Sequence, residues 1–220
     1  KDGDSEITDG KMQKITAAAE NIEELLGMME SDYGKITYML PPIFDNRDYA
    51  TTKAKYTGAN EAMEKLCEIT QAMVAEKGYQ YIDNYAFTKA INEKPEVWNS
   101  GAVEMYSTDR VHPNAQGGYA IAYNIIQNLF PGSGLVASVD VDVNANTANA
   151  ENAVVENLVA NENGVTYTYN PKALPWTAND AYNKADGRYV DLTNDLNREI
   201  IKVTGLADGT YTLKMDGMTV

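Results

Sequence analysis

A chain of 220 residues, 44% of them apolar, can build one ordinary domain and a small second one. Its 18 basic residues against 32 acidic ones, net charge −14, argue against nucleic acid or an anionic membrane surface as partner, because both reward clustered Lys and Arg. One cysteine and one histidine exclude an intrachain disulfide and any zinc site built on several His or thiolate ligands.

Along residues 11–30, Ile15, Ala18, Ala19, Ile22, Leu25, Leu26 and Met29 recur at the 3.6-residue spacing of an amphipathic helix, which 31–34 break. KITYML (35–40) predicts a buried strand stopped by Pro41-Pro42. A second helix is expected over about 51–77, with Ala62, Leu66, Ile69, Met73 and Val74 inward and Cys67 in core packing. Gly78 ends it, and 79–82 reads as a second short strand. A third helix over 113–129 would place Gly118, Ala122, Ile125, Ile126 and Leu129 on one face. Helix, strand, helix, strand, loop, helix is the rhythm of an α/β unit with parallel strands. No run approaches the roughly 18–20 apolar residues of a membrane span.

Past a linker at 130–134 (FPGSG) the period becomes two. VASVDVDV (136–143) and GVTYTY (164–169) read as strands, with the Asn/Ala-rich 144–153 between them as loop. Residues 200–217 predict a β-hairpin turning at Ala207-Asp208-Gly209. The expected division is therefore an α/β part over 1–134 and a β-rich part over 135–220. The chain starts at Lys1 without Met or leader and stops at Val220 just past an Asp-Gly turn, so truncation at both ends is expected. Many Asn, Thr and Tyr with one Cys suggest a secreted or periplasmic bacterial protein.

The segment that points to chemistry is Thr108-Asp109-Arg110-Val111-His112-Pro113-Asn114-Ala115-Gln116-Gly117. An Asp three residues before a His on a loop feeding a helix can accept from Nδ1–H, fix the tautomer and stabilise an imidazolium. Nε2 is then free as general base. Pro113 suits a first helical turn. Gly117 and Gly118 cost about 1 kcal/mol each inside a helix, which suggests close packing of that helix on the sheet. The competing reading is a capped helix start, with Asp109 an ordinary loop carboxylate.

D-x-x-H-P-N-x-x-G before a small-residue helix resembles the last conserved block of SGNH hydrolases, the GDSL esterase/lipase family. ITYMLPP (36–42) resembles the strand before a substrate-side loop, and YIDNYA (81–86) the strand leading toward the final block. Residues 172–176 and 195–217 are similar to a β-rich extension of some family members assigned to plant cell-wall polysaccharide deacetylation. The resemblance implies a partial flavodoxin-like three-layer αβα domain followed by a small β-rich domain. It further implies a Ser-His-Asp esterase acting on an acylated carbohydrate or another ester, with His112 as base and then acid and Asp109 as its orienter. No cofactor is implied.

The family's earlier blocks are missing: the G-D-S serine, the oxyanion-hole Gly and the G-x-N-D Asn. Gly3-Asp4-Ser5 spells the first of these but no strand precedes it, so the nucleophile is expected outside this chain. Asp140, Asp142, Asn144, Asn146 and Glu151 imitate a calcium loop, yet Ala145 stands where the sharp turn needs Gly. Tyr38, Tyr49, Trp98 and Tyr106 near the presumed rim favour a sugar over a lipid, and Trp176 is a further stacking candidate. A lipase or thioesterase of the same fold, or a carbohydrate-binding protein on a decayed scaffold, are the alternatives.

Overall fold

The computed structural model describes residues 6–48 and 56–220. Its first compact unit comprises residues 1–131 with 180–190, and its second 132–179 with 191–220. The expected cut at 134/135 thus falls close to one junction, but 180–190 belong to the first unit. No period-two or helical pattern in the sequence marks that excursion.

In the first unit, α1 (Asp9–Tyr33) is capped by the Thr8 hydroxyl, which accepts from the Lys11 amide, and ends on Gly34 at φ 83°. The strand β1 (Thr37–Met39) pairs in parallel with β2 (Gln80–Ile82) across α2 (Ala59–Glu76), the unit anticipated from the sequence. Leu26, Ile36 and Val74 form a buried cluster joined by Ile22, Tyr38, Met73, Tyr79 and Tyr81, so α1 and α2 pack together beside the strand pair. Cys67 is buried in α2, and burial pushes its thiol up to about 12. Leu25 and Met29 of the expected apolar stripe instead face solvent, as do Met28 and Met39.

After β2, Asp83 accepts from the Ala86 amide and starts α3 (Asn84–Asn92), followed by the single turn α4 (Pro95–Trp98). Neither helix was anticipated, since both fall in 83–98 without a long apolar stripe. Last in the first stretch is α5 (Ala115–Leu129). Its buried positions are Gly117, Ala120 and Asn124, not the larger apolar set expected, and Asn124 donates to Asn84 Oδ1 at 2.8 Å.

The second unit rests on β3 (Leu135–Asp142), which puts Ala137, Val139 and Val141 inward and Ser138 and Asp140 on the opposite face. It pairs antiparallel with β4 (Thr147–Glu151). A strand therefore stands where the Asn/Ala-rich stretch predicted loop, supplied with ladder partners by β3 despite its poor β-propensity. A second pair, β5 (Ala153–Asn161) and β6 (Gly164–Pro171), turns through Glu162-Asn163. Helix α6 (Asp180–Ala185) then lies in the first unit, where Tyr182 meets Tyr119 edge-on at 5.7 Å. Back in the second unit, α7 (Leu192–Leu196) leads to β7 (Arg198–Thr204).

The strand β7 pairs in parallel with β3 rather than folding back as the expected hairpin. Residues 205–213 instead reach the β5–β6 turn, with the Ala207 amide and Tyr211 hydroxyl both donating to the Glu162 carbonyl. The only hairpin downstream is short, β8 (Lys214–Met215) with β9 (Met218–Thr219) around Asp216-Gly217. No helix among the described residues is long and apolar enough to cross a membrane.

Candidate functional site

The segment 106–113 folds back on itself. Tyr106 bridges Pro113, the Ser107 amide donates to the His112 carbonyl at 2.8 Å, and the Asn114 amide donates to the Met105 carbonyl at 3.0 Å. Pro113 thus stands just outside the helix rather than in its first turn. Asn114 is the N-cap, accepting from the Gly117 amide through Oδ1 while its amide nitrogen donates to the Glu104 carbonyl. Gly117 is compulsory at this contact, because a Cβ there would stand 1.9 Å from the Met105 carbonyl oxygen. The glycine serves loop contact, not the helix-on-sheet packing expected, and Gly118 faces open space.

Within this turn Asp109 Oδ2 lies 2.7 Å from His112 Nδ1. The other oxygen, Oδ1, accepts from the Val111 and His112 amides at 3.0 Å each and from the Ser107 hydroxyl at 2.8 Å. Those amide bonds first, then the imidazole and the hydroxyl, hold the Asp109 carboxyl well below the usual carboxylate range. The carboxylate stays ionised and keeps accepting from Nδ1, which leaves Nε2 as the basic nitrogen. The His112 side chain is 80% exposed, and its Nε2 takes no hydrogen-bond partner among the described residues. The Ser107 hydroxyl is engaged with Asp109 Oδ1 and with the His112 carbonyl. Ser5 lies outside the described residues.

The turn docks on the loop that leaves the carboxyl end of β1, the side where α/β folds place ligands. The Asp45 amide donates to the Arg110 carbonyl at 3.0 Å, and the Arg110 guanidinium donates to the carbonyls of Asp45 and Arg47. Asp45 and Arg47 form a fully buried ion pair at 2.8 Å, and Arg47 also donates to the Val97 carbonyl at the end of α4. On the other side Glu104 is buried, taking Arg188 Nε at 2.8 Å and the Tyr189 hydroxyl at 2.6 Å. Burial pushes its carboxyl up, but the bonds from Arg188, Tyr189 and Ser100 outweigh it and the net shift is downward. The Gln116 amide joins this cluster, donating to the Glu104 carbonyl and the Tyr189 hydroxyl.

Asp109 and His112 are therefore brought together, while Ser107, Arg110, Glu104 and Arg188 were not singled out from the sequence. Ser-x-Asp at 107–109 was the one local signal, a side chain hydrogen-bonding its own turn. The presumed aromatic rim is thinner than expected. Tyr106 is buried, Trp98 is partly exposed, and Tyr49 lies outside the described residues. Asp142 Oδ1, in the imitation calcium loop, accepts from the Asn144 and Ala145 amides, and Asp140 pairs with Lys202.

No protein-family model matches the sequence, and no curated protein matches it. A solved structure described as a gut microbial diltiazem-metabolizing enzyme is similar over 97% of this chain, with TM-score 0.79 and 21% identity. The two share a fold. This chain spans 50% of that structure's length.

Proposed function

We propose that the first unit carries the acid–base half of an SGNH-type serine hydrolase site. The carrying observation is the 2.7 Å contact between Asp109 Oδ2 and His112 Nδ1, with the imidazole exposed and the turn that holds it bonded to the loop that follows β1. In this reading a serine outside the described residues attacks the ester carbonyl and passes its proton to Nε2. Asp109 stabilises the resulting imidazolium, and His112 then returns the proton to the leaving alcohol. The acyl-enzyme is hydrolysed by the same base acting on water. Asp109 has a second role in closing its own turn, so the capping reading and the catalytic one hold together.

The finer proposal is an esterase that removes acetyl or similar groups from a carbohydrate. It is supported by the β-rich second unit and by the resemblance carried in 172–176 and 195–217. A neighbour in fold named as a diltiazem-metabolizing enzyme supports an enzyme acting on a small molecule. The test compares turnover of acetylated xylan or pectin with that of long-chain acyl esters, using the reading frame extended upstream of residue 1. Faster release from the long-chain esters would replace the carbohydrate proposal with a lipase. In the active protein Asp109→Asn should lower kcat by roughly four orders of magnitude, through the wrong imidazole tautomer. Retained turnover in His112→Ala would end the acid–base role proposed for the Asp109–His112 pair.

A further inference from the structure

We propose that Arg110 is the positioning residue of the Asp109–His112 pair, an anchor whose buried guanidinium holds the turn that points the imidazole outward. The inference rests on the hydrolase reading for its purpose, but its geometry stands alone. Five non-glycine residues among those described have positive φ, and four are Asn or Asp, which tolerate it. Arg110, at φ 71°, is the exception. That conformation turns the backbone so that the amides of Val111 and His112 both converge on Asp109 Oδ1. A side chain with a Cβ holds it only where surroundings over-determine it.

Three bonds supply that constraint. Arg110 Nη1 donates to the Asp45 carbonyl at 3.0 Å and to the Arg47 carbonyl at 2.8 Å, and the Arg110 carbonyl accepts from the Asp45 amide. Arg110 is buried, whereas Val111 and His112, the next two residues, are exposed. The chain therefore buries one side chain in order to present its neighbour. The loop that receives Arg110 is itself fixed, through the buried Asp45–Arg47 pair and the Val97 carbonyl. Both bonds leave one nitrogen, Nη1, at the end of an arm long enough to reach from the turn to the backbone of residues 45 and 47.

The chain has one histidine, so nitrogen NMR of the 15N-labelled protein reads a single imidazole without ambiguity. In the parent the neutral ring should carry its proton on Nδ1. Arg110→Gly keeps the backbone conformation accessible but removes the anchor. It should move the tautomer ratio toward Nε2–H by roughly tenfold, as expected for loss of a charge-assisted hydrogen bond. Arg110→Lys should recover part of that loss. A glycine variant with the parent ratio and a native amide spectrum would overturn the proposal, since the conformation alone would then suffice. Should the glycine variant fail to fold, Arg110→Asn decides, since Asn tolerates positive φ but is too short to reach the two carbonyls: a shifted ratio supports the anchor, and the parent ratio overturns it. Ester turnover separates this from the hydrolase reading. A parent with the Nδ1–H tautomer but no esterase activity in the upstream-extended protein would sink the hydrolase and leave the anchor standing.

Discussion

The strand β3 and the turn at 106–113 hold their side chains in place by opposite means. In β3 the alternation of Val and Ala with Ser and Asp sends Ala137, Val139 and Val141 inward, and two neighbouring strands supply every ladder bond. The turn has almost no apolar payload of its own apart from Tyr106. Its shape comes from one carboxylate oxygen collecting three donors, one arginine reaching two carbonyls, and one asparagine capping the next helix. Apolar burial is non-directional and tolerates small errors of placement. A hydrogen-bonded turn aims its atoms within tenths of an ångström, but fails when any partner is removed.

The contrast can be pressed hardest at the buried ion pair. Arg47→Met leaves Asp45 charged and without its partner inside the first unit, at a cost of about 3–5 kcal/mol. Thermal unfolding should show the lower-melting transition of the first unit while amide signals of β3 stay native. Next in size is Gly117→Ala, whose Cβ would press on backbone rather than on a flexible side chain. A cost of about 1–3 kcal/mol is expected, with His112 and Val111 amide shifts moving first. In the second unit Val141→Ala should cost about 1–3 kcal/mol by cavity formation and leave the His112 imidazole signal untouched. A change at His112 in that variant would show that the two modes are not separate.

The smallest effect is that of acid. Asp109 has a depressed folded pKa, so the stability its ionisation contributes is present above the unfolded value of about 3.9 and is lost as pH falls through the lower folded value. The Asp109 carboxyl carbon resonance should therefore show no titration step near pH 4 and take one only in stronger acid. A midpoint at an ordinary carboxylate value would show that the turn does not hold the carboxylate in solution.

The sequence discloses β3, β6, α1, the β1–α2–β2 unit and the Asp109–His112 pair because each is written in local spacing. The same spacing hides β4, whose Asn and Ala residues become a strand only when β3 offers a partner. It hides α3, where Thr88 and Asn84 occupy buried positions through hydrogen bonds that no apolar pattern announces. The hairpin expected over 200–217 fails for a related reason, since Asp-Gly in a turn does not say which strand will claim the residues before it. At the site, Arg110 and Glu104 are charged residues that periodicity assigns to solvent. They are buried because their partners come from residues 45, 47, 188 and 189, far away in the chain.

The return of residues 180–190 to the first unit has a consequence for biosynthesis. Glu104 and Arg188 are 84 residues apart, and a ribosome adding 5–20 residues per second separates their emergence by roughly 4–17 s. Through that interval the segment leading into the Asp109–His112 turn has been made, but the arginine and tyrosine that close over Glu104 have not. Most of the second unit's strands are synthesised first. The unit that begins the chain is thus among the last parts to be completed, and a nascent chain halted before residue 188 would carry the site's residues without the contacts that finish its support.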